Sequence, residues 1–145
     1  MTLFVPVREQ TQYVRTEDDV NPSRWSHDMV KVFAFLTKKQ GLETQAFIDY
    51  YEKNHVPLVC SLAPPPIVYK RNFLVRGDAL NMEDSSIDFD VITELVFPDR
   101  ESFHAWGALL FAPSNGDAIA KDEENFLERS RTRAYVVEEH VTTSG

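Results

Sequence analysis

Apolar residues fall along this chain in two alternating rhythms, and the rhythms lay out a short series of strands and helices. Residues 29–37 read Met-Val-Lys-Val-Phe-Ala-Phe-Leu-Thr, β-branched and aromatic, which predicts a strand. One face carries Val30, Val32, Ala34 and Leu36, and the other Met29, Phe33 and Phe35. A strand apolar on both sides must be covered on both. One helical layer covers one face of a small sheet, and a second subunit is the simplest cover for the other. After a turn at 38–41, residues 44–55 follow a helical period: Phe47, Tyr50, Tyr51, Asn54, His55 and Leu58 share a stripe. The Pro57 ring is expected to end or kink this helix near Val56.

Pro64-Pro65-Pro66 is a stiff extended break. A second strand is predicted over 67–75, an acidic polar loop over 77–88, and a third strand over 89–97. Pro98-Asp99 opens a helix, with Asp99 able to cap it. Phe103, Trp106, Gly107 and Leu110 form its stripe. Pro113-Ser114 opens a further helical stretch with Ile119, Asp122, Phe126 and Leu127 on one side. A fourth strand is predicted over 134–141. The order β-α-β-β-α-β, with the second helix split, predicts an α+β fold of ferredoxin-like type. Residues 1–28 are mostly polar and read as an N-terminal arm; residues 29–145 make one domain.

With 145 residues, the chain can bury roughly 70% of its unfolded surface and needs no disulfide or metal staple. A net charge of -8 with scattered basic residues argues against nucleic acid and anionic membrane surfaces as partners. No apolar run approaches the roughly 20 residues of a membrane span. The N-terminus is too short and too soon charged for a secretory signal. With the single cysteine, Cys60, this fits a reducing cytoplasm. Ten Phe, five Tyr and two Trp could fill a core or line a pocket for a flat ligand.

Two polar residues sit on apolar stripes. His55 follows Phe47 and Tyr51, and Asp122 lies between Ile119 and Phe126. Burying either alone costs a few kcal/mol, roughly, so each needs a partner. A contact between them would satisfy both and fix the imidazole tautomer. Against this stands the ordinary reading: a lone histidine on an apolar face is usually a satisfied core residue. Glu94, Glu138 and Glu139 lie in predicted strands, as edge charges or pocket acids. Other site types fail: there is no Gly-rich phosphate loop, HExxH motif, Cys-His ligand set or GxSxG elbow, and His27, His55, His104 and His140 lack metal-like spacing. What remains is acid-base chemistry with no cofactor.

The run from Ala46 to Leu58, with its Phe47, Tyr50-Tyr51, His55 and Pro57-Leu58, resembles the F-x-x-Y-[WY]-x-x-x-H-x-P-L signature of the EthD-like family, of the dimeric α+β barrel superfamily. Thr93-Glu94-Leu95-Val96-Phe97 and Asp122-Glu123-Glu124-Asn125-Phe126 extend the likeness. Tyr51 stands where relatives often have Trp. The resemblance implies a homodimer packed sheet to sheet, with a pocket between each sheet and its own helices. It implies His55 and Asp122 as catalytic residues and Phe126 as a motif residue. Phe47, Tyr51, Glu94, Trp106 and Phe126 are the expected substrate-binding set. The chain looks most like stand-alone fungal members that tailor aromatic polyketides as decarboxylases or dehydratases. The expectation is decarboxylation of an aromatic polyketide acid. Dehydration or ring closure, cofactor-free oxygenation, and a non-catalytic binding or helper role are the alternatives.

Overall fold

The computed structural model describes residues 28–144. The expected N-terminal arm therefore lies outside the described residues, apart from Asp28. The elements run β1 (Val30–Leu36), α1 (Thr44–Tyr50), a π-helical turn (Tyr51–His55), α2 (Val56–Leu62), β2 (Val68–Phe73), β3 (Val91–Phe97), α3 (Arg100–Leu110), α4 (Pro113–Glu123), a 3-10 turn (Arg129–Arg131) and β4 (Arg133–Val137). The strands form one antiparallel sheet in the order β2-β3-β1-β4. This is the ferredoxin-like α+β arrangement. Among the described residues no helix is long and apolar enough to cross a membrane.

Two expectations need adjustment. Of the two outcomes expected at Pro57, an end or a kink, the end is not seen: the helix is distorted just before Val56 and continues through Leu62. Proline lacks an N–H, and its ring crowds the carbonyl four residues back. The chain widens there: the Val56 N–H bonds the Tyr51 carbonyl, five residues earlier, which is the π geometry. The fourth strand stops at Val137 rather than 141. Its partner runs out, because Lys31 pairs with Val137 and β1 begins one residue before Lys31. The split in the second helical region falls as expected, and Asp99 Oδ1 caps α3 by accepting from the Ser102 N–H at 2.7 Å.

Alternation sorts the sheet into two faces. Val30, Val32 and Leu36 on β1, with Val91, Leu95 and Phe97 on β3, are buried in the clusters that the helices cover. The end of β1 is tied to the end of α4: Lys39 N–H donates to the Phe126 carbonyl (2.8 Å) and Glu128 N–H to the Thr37 carbonyl (2.9 Å). That seam fixes where Phe126 and Asp122 stand above the sheet.

The opposite face is less uniformly apolar than the β1 pattern suggested. It carries Phe33, Phe35, Ile92 and Tyr135, but also Lys31, Glu94 and Lys70. Lys31 Nζ lies 2.8 Å from Glu94 Oε1, and Lys70 Nζ 3.3 Å from Glu94 Oε2; Lys31 also contacts Glu139. Burial alone would raise the Glu94 carboxyl, but the contacts and charge of Lys31, helped by Lys70, outweigh it and hold Glu94 below its ordinary range. A carboxylate lowered in this way stabilises the fold above its unfolded pKa, and the contribution fades as pH falls through its folded value. Glu94→Gln should therefore cost clear stability at pH 7 and much less near pH 3. Urea midpoints at the two pH values test this, and an equal loss at both would contradict it.

Candidate functional site

The stripe of α1 and the π turn buries Phe47, Tyr51 and His55; α4 brings Asp122 against it, and the turn after α4 brings Phe126. His55 Nδ1 lies 2.7 Å from Asp122 Oδ2. The imidazole is 6% exposed as a residue, so the pair sits largely away from water. Tyr50 donates its phenol to the other carboxylate oxygen, Asp122 Oδ1, at 2.8 Å, and Asn125 Nδ2 donates to the Tyr50 hydroxyl at 2.9 Å. The carboxylate is thus held on both oxygens. When Nδ1 donates to it, the lone pair of the neutral ring falls on Nε2. Among the described residues Nε2 has no hydrogen-bond partner.

Aromatic rings wall the dyad. The His55 ring is 5.0 Å from Phe126 and 5.2 Å edge-on from Tyr51, centroid to centroid. Tyr50 lies 5.1 Å from Phe126. Beneath His55 the Tyr51 hydroxyl meets Thr93 Oγ1 on β3 at 2.6 Å. Burial pushes the Tyr51 phenol up to about 12, against smaller opposing contributions from Thr93, Tyr69 and Arg71. Burial, with the adjacent Tyr51 phenol, raises Tyr69 well above its ordinary value. Both phenols are held protonated at neutral pH, and either Tyr51 or Thr93 can donate the hydrogen bond between them. To one side Arg71 forks onto Glu52 (2.8 and 2.6 Å) and lies 4.9 Å from the Tyr69 ring centre.

The fold brings His55, Asp122, Tyr51 and Phe126 together. Phe47 joins them indirectly: it is a core residue, 1% exposed, packed on Phe73, Tyr51 and Phe126. Trp106 lies further along the helix–sheet seam, 5.2 Å from Phe97. Glu94 is not brought to the dyad. Thr93 faces the helices, so its neighbour in the strand points through the sheet to Lys31 and Lys70. Tyr50 and Asn125 were not among the expected site residues. Their signal was present in spacing: Tyr50 lies on the Phe47 stripe, and Asn125 is one turn past Asp122. A cavity of about 180 Å³ lies in the loop before β3, against Leu74, Val75, Asn81, Met82 and Ile87. It shares no lining residue with the dyad. Among the described residues no group of three or more His, Cys, Asp or Glu side chains is placed to hold a metal ion.

A ferredoxin-like sheet with a buried histidine–carboxylate pair under its helices defines the class. The EthD domain model matches residues 39–130, a span holding both members of the pair, and the chain belongs to the EthD family. No curated protein gives a significant match. Solved structures share the fold. An ethyl tert-butyl ether D (EthD) family protein from Bacillus halodurans is 24% identical, with a TM-score of 0.53, covering 77% of this chain and 99% of its own. An uncharacterised NIPSNAP-like domain protein from Burkholderia xenovorans is 15% identical, with a TM-score of 0.54 and coverages of 83% and 92%. A hydroxynitrile lyase from Passiflora edulis is 19% identical, with a TM-score of 0.52 and coverages of 81% and 100%.

Proposed function

We propose that this chain is an acid–base enzyme of the lyase type, in which His55 moves a proton at Nε2 while Asp122 holds the ring. The observation that carries this reading is the 2.7 Å contact between His55 Nδ1 and Asp122 Oδ2 inside an aromatic wall. A carboxylate on Nδ1 orients the ring and stabilises the imidazolium that forms when Nε2 takes a proton. The same fold in a hydroxynitrile lyase supports a lyase on this architecture.

The reaction we assign is loss of CO2 from a β-keto or o-hydroxyaryl carboxylic acid of the aromatic polyketide type, with no cofactor. In a β-keto acid the bond between the carboxylate and the α-carbon breaks and its electron pair passes into the adjacent carbonyl; in an o-hydroxyaryl acid the ring carbon takes the His55 proton first, and the pair released on loss of CO2 restores the aromatic ring. CO2 leaves, and His55 supplies the proton from Nε2 that the carbon keeps, after CO2 loss in the β-keto case and before it in the aryl case. One proton is taken up per turnover, from solvent through His55, and no oxidant is consumed. Rings around the site remove water from the carboxylate, which favours neutral CO2 over the bound anion. This choice of substrate follows from the sequence motif alone, which resembles that of fungal polyketide-tailoring members. We assign the active form as a homodimer, with the Phe33, Phe35 and Tyr135 face turned to a second copy; Tyr135 is 61% exposed in the single chain.

The test is incubation with a panel of aromatic polyketide acids, followed by mass spectrometry. A product lighter by CO2, formed only with the protein present, is the expected result. Loss of water or gain of oxygen would replace the assigned reaction with dehydration or oxygenation. Tight ligand binding without any product would replace enzyme with binding protein.

A further inference from the structure

Trp106 carries a polar group that the dyad does not use. Its indole Nε1 is buried and meets no acceptor among the described residues. A buried donor without a partner is uncommon and marks a place where an acceptor belongs. The ring packs against the cluster of Val30, Val32, Leu95 and Phe97 on the sheet, and against the cluster of Val59, Ala63, Leu110 and Ile119 on the helices. Val59 is four residues past His55, one turn further on the same buried face. Tyr69 packs against both of these clusters, and its phenol neighbours that of Tyr51. His55, the two phenols and the indole N–H therefore follow one seam between helices and sheet.

We infer that Trp106 is a substrate-anchoring donor, its indole N–H bonding an oxygen of the aromatic ligand remote from the carbon that meets His55. The inference rests on the acid–base reading and narrows its substrate: an aromatic acid with a second oxygen, hydroxyl or carbonyl, on the ring distant from the carboxylate. An acid without that oxygen leaves the indole unbonded and binds less tightly.

The experiment uses full-length protein with ¹⁵N-labelled tryptophan, the Trp106 indole resonance being identified by its loss in Trp106→Phe. It is titrated with 6-hydroxy-2-naphthoate and anthraquinone-2-carboxylate, and with 2-naphthoate as the acid lacking the remote oxygen. The expected result is a downfield move of the Trp106 indole proton with an oxygenated acid. That acid should bind about tenfold more tightly than 2-naphthoate, an advantage lost in Trp106→Phe. Overturning results are an indole unmoved at saturation, no binding of either oxygenated acid, or the advantage persisting in the variant. If Trp106→Phe fails to fold, the two Trp resonances are told apart with Trp25→Phe and the wild-type titration decides. An indole shift with no His55-dependent turnover of any acid would keep this donor site and remove the acid–base reading. Turnover that needs His55, with a still indole, would do the reverse.

Discussion

His55→Ala is expected to lower kcat by about 10²–10⁴-fold on whichever acid the panel identifies, the usual worth of a positioned acid–base group. The variant should remain folded. Asp122 loses one partner but keeps the Tyr50 phenol at 2.8 Å, and its side chain retains 12% exposure. The unfolding cost is therefore about 1–3 kcal/mol, that of a part-satisfied buried group. A graded series separates chemistry from packing. Asp122→Asn keeps an acceptor shape but removes the charge that steadies the imidazolium, so its loss in kcat should approach that of His55→Ala. Tyr50→Phe removes only one donor from the carboxylate, and its loss should be a few-fold, in kcat rather than KM. Circular dichroism and urea midpoints check folding alongside turnover. A folded His55→Ala with undiminished turnover would sink the proposed function.

Phe126→Ala should cause a large loss of stability, about 3–5 kcal/mol, as expected for removing a buried aromatic ring. Phe126 has no exposed surface. Its ring lies 5.0–5.9 Å from those of His55, Tyr50, Tyr51 and Phe47. It is both a core residue and a wall of the site, so removal opens a void that the backbone bond from Lys39 keeps from collapsing. The dyad should loosen with it, because Asp122 is one turn away. Equilibrium urea unfolding measures the effect, and a loss under about 1 kcal/mol would contradict this account of the core.

The strands and their order were readable because alternation and helical stripes are strong signals where one face is buried. The dyad was readable for the same reason: a histidine and an aspartate each interrupted an apolar stripe. Glu94 was misplaced because β3 is buried over nearly its whole length, so pattern alone could not say which of Thr93 and Glu94 faces the helices. Only the pairing of Thr93 with Tyr51 settles it. Tyr50 was passed over because it sits at the rim of its helix, where its partner on α4 is invisible to local spacing. At Pro57 the sequence leaves an end or a kink open, because local spacing does not show that the helix can widen just before the proline and then continue.

The widened turn has a geometric consequence for the whole helical arm. Its deepest residues, Phe47, Tyr51, His55, Val59 and Ala63, recur every four positions. A uniform helix of 3.6 residues per turn would rotate such a row by about 40° at each step, carrying its far end round toward solvent. One underwound turn between Tyr51 and His55 slows that drift, so a single straight ridge can follow the sheet from the Phe73 end to the Trp106 end. Chain length inside the arm is thereby tied to orientation. Dropping one residue between Tyr51 and His55 would swing everything downstream by about 100°, turning Val59 and Ala63 off the sheet while Phe47 stayed in place.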